Sequence, residues 1–212
     1  MATRRERKDA ARLLLERFEP GAVDRWARSE PDAWGIVQRL LFDDDALVRW
    51  RAVEAAGRIA AARGRPDPEG ARDMVRRALW LMNDESGGCL WLAPEVLGAA
   101  LASVPALRPE FLQVLASFLE EEPFREGTRW ALWRVALAAP AEVAAAAAPA
   151  LAASLADPDP AVRGHAALAL AAAAGPAAAA ALAGDPAPLV VFDPRTGTLR
   201  ATTVGEAAAG AF

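Results

Sequence analysis

The sequence predicts an all-α fold of stacked helix pairs, finished at the carboxyl end by a small β-hairpin and a short helix. Three observations predict it. Helical periodicity runs almost unbroken from Arg4 to about Leu182, interrupted only at Gly, Pro and Asp clusters. An acid-x-acid-x-x-Val-Arg-x-x-Ala motif occurs at Asp43, Asp45, Val48, Arg49 and Ala52, and again at Asp157, Asp159, Val162, Arg163 and Ala166. The stretch "LVVFDPRTGTLRATTV" (Leu189–Val204) changes character and reads as two short strands around a turn bearing Pro and Gly.

In chain order, residues 4–18 and 22–41 read as helices, with Leu13, Leu14 and Phe18 on one face and a charged outer side suited to a terminal unit. A repeat frame follows. A shift of 41 residues takes Asp43 to Asp84, Trp50 to Trp91, Ala52 to Ala93, Glu54 to Glu95 and Gly57 to Gly98. A further 38 reaches Glu122, Arg129, Ala131, Trp133 and Ala136, and a last 35 reaches Asp157 and Ala166. Such periods suit one helix pair per unit, with second helices near 46–63, 90–103, 124–139 and 160–174. The recurring acid sits where it can cap free N–H groups and meet the positive end of a helix. The recurring alanine permits close helix approach. Arg49 and Arg163 are expected to reach an acid of a neighbouring turn and form a ladder. The array takes residues 1–184. Residues 185–212 form a cap that packs on the final helices or on a partner, with Thr203 and Glu206 opening its last helix as a capping box.

These units resemble HEAT repeats, in particular the short HEAT-like repeats of the phycobilisome-lyase type. The resemblance covers residues 40–175. The first and last units carry it well. The middle two depart from it, with Leu90 and Thr128 in place of the arginine. It implies a right-handed α-solenoid whose concave surface is lined by the second helices. It implies binding of another macromolecule more often than catalysis.

Composition bounds the function. The chain has 212 residues, 54% hydrophobic and 25% charged, enough for a sizeable core or a short array. A net charge of −4, with Lys8 the only lysine, argues against nucleic acid as a partner. The basic stretch "TRRERKDAAR" (Thr3–Arg12) reads as a solvated helix face of mixed sign. Cys89 stands alone, which excludes an intramolecular disulfide and fits a reducing compartment. The basic start is followed only by "LLL", too short for a secretory signal, and no run of about 18 strongly apolar residues is present to span a bilayer. The expectation is a soluble cytoplasmic protein.

The stretch "NDESGGCLWLAPEVLG" (83–98) is the most unusual. Gly87 and Gly88 could turn backbone N–H groups toward an anion, with Asp84, Glu85 and Ser86 beside them and Trp80 and Trp91 as flat walls. Glu95 follows Trp91 by four residues and shares its helical face. Turn chemistry alone also accounts for Gly, Ser, Asp and Asn here, and this is the preferred reading. Cys89 takes the frame position of Val48 and Val162, which predicts burial. The only histidine, His165, is two repeats away, so no Cys–His nucleophile is predicted. One Cys and one His exclude a thiolate or imidazole zinc site within one chain. The acid runs 43–45 and 120–122 fit caps and turns as well as a cation site. Trp50, Trp91, Trp130 and Trp133, with Glu54 and Glu95, read either as inter-repeat core or as a groove stripe edged by Arg49, Arg129 and Arg134.

The candidate binding set is Trp50, Glu54, Asp84, Glu85, Ser86, Trp91, Glu95, Arg129 and Trp133, with no catalytic residue, metal or cofactor implied. The expected function is a non-catalytic adaptor or scaffold that holds a protein partner on its concave face, an assembly or maturation helper included. The alternative is a HEAT-like enzyme or cofactor-handling protein, similar to bilin lyases or to alkylpurine DNA glycosylases, with a site around residues 83–95.

Overall fold

The computed structural model describes residues 3–65, 67–82 and 92–212. Helix α1 (Arg4–Arg17) opens on a capping box: the Thr3 hydroxyl accepts from the Glu6 N–H, and the Glu6 carboxylate accepts from the Thr3 N–H. Its buried stripe is Ala11, Leu15 and Phe18, whereas Leu13 is 56% exposed. The i, i+4, i+7 row therefore passes through Leu15 rather than the expected Leu13 and Leu14. The expected helix 22–41 is two helices, α2 (Pro20–Ser29) and α3 (Ala33–Leu40). Pro31 forces the break, because the residue before a proline is pushed out of the helical region, and Glu30 is extended.

Seven helices follow: α4 (Ala46–Gly64), α5 (Pro68–Met82), α6 (Ala93–Ser103), α7 (Arg108–Ser117), α8 (Arg125–Ala136), α9 (Pro140–Ala153) and α10 (Pro160–Ala174). Helices α4, α6, α8 and α10 form a row in which each packs on the next, while α5, α7 and α9 pack on them from outside. The row is tight because its contacts are small. A Cβ added at Gly98 would lie 2.6 Å from the Ala131 Cα, and one at Gly57 would lie 2.7 Å from the Ala99 carbonyl oxygen. Ala52, Ala93, Ala131 and Ala166 are fully buried at these contacts.

The turns before α4 and α10 are chemical twins. Asp45 caps the N–H groups of Leu47 and Val48, and Asp159 caps that of Ala161. Asp43 accepts from the Asp45 N–H and Asp157 from the Asp159 N–H. Each motif arginine braces its own turn, and Arg163 also reaches an acid of a neighbouring turn as expected. Arg49 donates to the carbonyls of Asp43 and Asp44, and Arg163 to those of Asp157 and Pro158, so each ties up its own preceding turn. That acid is Asp185, at 2.7 Å, whereas Asp84, the turn acid of the unit after Arg49, lies outside the described residues. Other arginines add further ties, Arg12 to Asp43 and Arg125 to Asp157. Burial opposes ionisation of Asp43, but the Arg12 guanidinium and the Asp45 N–H outweigh it and hold the carboxyl below its usual range.

After a 3-10 stretch (Pro176–Leu182), β1 (Pro188–Asp193) pairs antiparallel with β2 (Thr198–Thr203), from Pro188 opposite Thr203 to Asp193 opposite Thr198. Thr203 ends β2 and, with Glu206, forms the capping box of α11 (Val204–Ala208). The hairpin runs along the helix row. Leu189 and Val204 press on Gly164 of α10. Phe192 reaches Trp130 of α8 and Trp50 of α4, and the Gly197 carbonyl accepts from Arg51 Nε at 2.8 Å. The row thus lies between the outer helices and the hairpin. Among the described residues, no helix is long and apolar enough to cross a membrane.

Candidate functional site

Helices α4 and α8 meet over the small residues of α6 through two matched pairs spaced i, i+4. Trp50 and Glu54 lie on α4, and Trp130 and Arg134 on α8. The indoles of Trp50 and Trp130 sit with centroids 4.8 Å apart. One turn on, Arg134 grips Glu54 with both prongs, Nε to Oε1 at 2.8 Å and Nη2 to Oε2 at 3.2 Å. Glu54 is buried, so this bidentate pair satisfies a charge that water does not reach. Phe192 completes the cluster. Its ring stacks on Trp50 at 5.3 Å and 10°, and its carbonyl accepts from Trp130 Nε1 at 3.0 Å. Trp133 is buried and meets Phe212 edge-on at 5.9 Å. Trp50, Trp130 and Trp133 therefore pack against the chain's own hairpin and Phe212.

Arg129 is 1% exposed and lies inside the array, not at a groove edge. It donates to the carbonyls of Leu119 and Arg125, to Ser154 Oγ and to Glu120. It staples the turn before α8 to the end of α9. Burial lowers its pKa, and Glu120 opposes that.

Glu95 is the chemically distinctive member of the set. It sits in the first turn of α6 and is 5% exposed. Its carboxyl group presses on Gly127 in the first turn of α8, where any Cβ would overlap it. Oε2 has no hydrogen-bond partner. Burial, with the nearby charge of Glu126 adding to it, pushes this carboxyl up to about 8. Glu126 Oε1 in turn lies 3.5 Å from His165 Nδ1 on α10. His165 is buried, and its Nδ1 contacts the Ala161 carbonyl at 2.9 Å. Nε2 is unpartnered, and burial lowers the imidazole pKa. Three titratable groups thus run from α6 through α8 to α10, and at neutral pH Glu95 is a buried proton donor.

Asp84, Glu85, Ser86 and Trp91, with Cys89, lie outside the described residues. Trp50 and Glu54 come together with Trp130 and Arg134. Trp133 joins that cluster edge-on through Trp130 at 6.3 Å, while Glu95 and Arg129 serve other interfaces. The repeat frame set Trp50 opposite Arg129, one residue short of its true neighbour Trp130. The shared spacing, Trp-x-x-x-Glu in α4 and Trp-x-x-x-Arg in α8, was the signal for the cross-row pair. Nothing local marked Phe192, Glu126 or Gly127. Among the described residues, no group of three or more His, Cys, Asp or Glu is placed to hold a metal ion.

No protein-family model matches the chain, and no curated protein matches it. Among solved structures, the chain matches crystal structures of two engineered proteins. One shares 19% identity at a TM-score of 0.54 and covers 100% of this chain but 54% of its own. The chain therefore spans about half the length of that protein. The other shares 22% identity at a TM-score of 0.49, covering 84% of this chain and 78% of its own.

Proposed function

We propose that the chain is a HEAT-like, right-handed α-solenoid acting as a non-catalytic adaptor that holds a protein partner, a client of assembly or maturation included. The observation that carries this reading is how the row treats the hairpin. It recognises a polypeptide segment through an aromatic stack, an indole N–H to a backbone carbonyl and an arginine to another. Those are the contacts of a peptide-binding surface. Because the hairpin already fills the Trp50–Trp130 face, the partner engages surfaces the hairpin leaves open. The test is crosslinking with mass spectrometry on the full chain in its native cells. A carboxylate-reactive reagent is required, since Lys8 is the only lysine. Reproducible crosslinks to one protein are expected; their absence contradicts an adaptor.

A second reading rests on Glu95. A buried carboxyl with one unpartnered oxygen, raised to about 8, has the character of a general acid. It supports the alternative of a HEAT-like enzyme or cofactor-handling protein with a site around residues 83–95. The net charge of −4 disfavours the DNA-glycosylase-like form. The test is incubation with a cell metabolite extract and mass spectrometry of what is retained. A compound kept by wild type and lost by Glu95→Gln favours this reading; equal retention removes it.

A further inference from the structure

The charged start of the chain has a shape that its sequence does not show. Arg4, Arg5 and Lys8 of α1 and Arg39 of α3 line a cleft of about 430 Å³. Arg4 and Arg39 also line a second cleft of about 380 Å³, which continues to Phe42 and Leu81. The two clefts share walls and form one continuous surface. Four cations face it, and among the described residues the only acid in its lining is Asp32, 3.6 Å from Arg39. One guanidinium nitrogen of Arg39, Nη2, is buried without a hydrogen bond.

The neighbouring cations are already neutralised. Arg7 pairs with Glu30 at 3.1 Å, and Arg12 with Asp43 and Glu16. Arg5 is 3.9 Å from Asp9, but both side chains are largely in water, where such a pair holds little. In a chain of net charge −4, this place therefore gathers Arg4 and Lys8, which form no ion pair among the described residues, with Arg5 and Arg39, whose acids lie 3.9 and 3.6 Å away. At the end of that place stands Phe42, a 57% exposed aromatic of the kind that anchors interfaces.

We propose that this cleft docks an acidic, extended segment of a partner protein. Consecutive Asp or Glu side chains meet Arg4, Arg5, Lys8 and Arg39, and an adjoining apolar side chain packs on Phe42 and Leu81. The proposal rests on the adaptor reading and names the chemistry of the partner. A protein segment fits better than nucleic acid. The basic area is short, it ends on an apolar wall, and the rest of the acidic body repels a long polyanion.

The test is fluorescence anisotropy with the full chain and a labelled synthetic peptide of four Asp or Glu followed by Leu and Phe. An otherwise identical Asn/Gln peptide and a single-stranded oligonucleotide are run beside it, at two salt concentrations. Circular dichroism checks that the variants fold. The acidic peptide is expected to bind more tightly than either control and to weaken as salt rises. Arg4→Glu/Lys8→Glu is expected to lose about tenfold or more in affinity, and Phe42→Ala about threefold. Equal binding by wild type and the charge-reversed variant overturns the proposal. So does tighter binding of the oligonucleotide, or no peptide binding at all. If the peptide fails while the crosslinked partner remains, only the cleft is wrong. If no partner crosslinks, the adaptor reading itself falls.

Discussion

The starts of α4 and α10 can be set against those of α6 and α8, as far as the described residues reach. In the outer pair an aspartate caps the helix, a second aspartate braces the cap, and an arginine gathers the carbonyls of the same turn. Each turn satisfies most of its polar groups itself, and arginines Arg12 and Arg125 pair the bracing aspartates from outside. In the middle pair the helices start at Leu92 and Phe124 with no side-chain cap. There one ionisable group of each helix, Glu95 of α6 and Arg129 of α8, is buried between units. Arg129 is buried with four partners and Glu95 with an unpartnered oxygen. The motif is regular where a turn is self-contained and irregular where a charge enters the interface between units. The middle of the row, which the hairpin also crosses, is thus where local rules yield to packing.

The comparison can be broken most sharply at the hairpin. Phe192→Ala removes a fully buried ring from between Trp50 and Trp130 and is expected to destabilise by about 3–5 kcal/mol in denaturant titration. Next comes the cross-row pair. Glu54→Ala strands Arg134 and is expected to cost about 3 kcal/mol. A double-mutant cycle with Arg134→Met should recover part of it; strict additivity would show that the pair does not couple α4 to α8.

Glu95 gives a pH signature peculiar to the middle units. Its folded pKa, about 8, lies above its ordinary value of 4.5. The folded state therefore holds a proton that the unfolded chain releases between those values. Stability is fully present below about pH 4.5, falls as pH rises to about 8, and then levels, with a slope of at most about 1.4 kcal/mol per pH unit. Glu95→Gln should flatten this part of the curve; an unchanged slope would place the proton elsewhere. The outer units carry the smallest effects. Asp45→Ala and Asp159→Ala should each cost about 1 kcal/mol and should add, since the two caps are far apart in the array. Unequal costs would mean that the twin turns are alike only in geometry.

What the sequence made legible was local. The helical class, the Asp-x-Asp-x-x-Val-Arg turns, the hairpin and the Thr203 capping box all rest on spacing within a few residues. The acid ladder was legible in part: Arg163 reaches Asp185 besides its own turn's carbonyls, while Arg49 holds its own turn's carbonyls and the acid of the following turn, Asp84, lies outside the described residues. The continuous helix over 22–41 failed on Pro31, whose effect falls on the residue before it. The candidate site was legible only in part. Trp50 and Glu54 belong to one cluster, but their partners lie 80 residues away in sequence and meet them only because the row is tight. The burial of Glu95 depends on Gly127 of another helix. The path of the hairpin over Trp50 is equally non-local.

The central claim is that the chain's own hairpin occupies the Trp50–Trp130 face. The most direct measurement is hydrogen exchange of the Trp130 indole N–H by NMR, the resonance being assigned with Trp130→Phe. Held by the Phe192 carbonyl in a fully buried site, this proton is expected to exchange only as fast as the whole chain unfolds, and to lose that protection in Phe192→Ala. Exchange as rapid as that of the exposed Trp80 in the wild-type chain would mean that the hairpin does not cover the face and that the face is free for a partner.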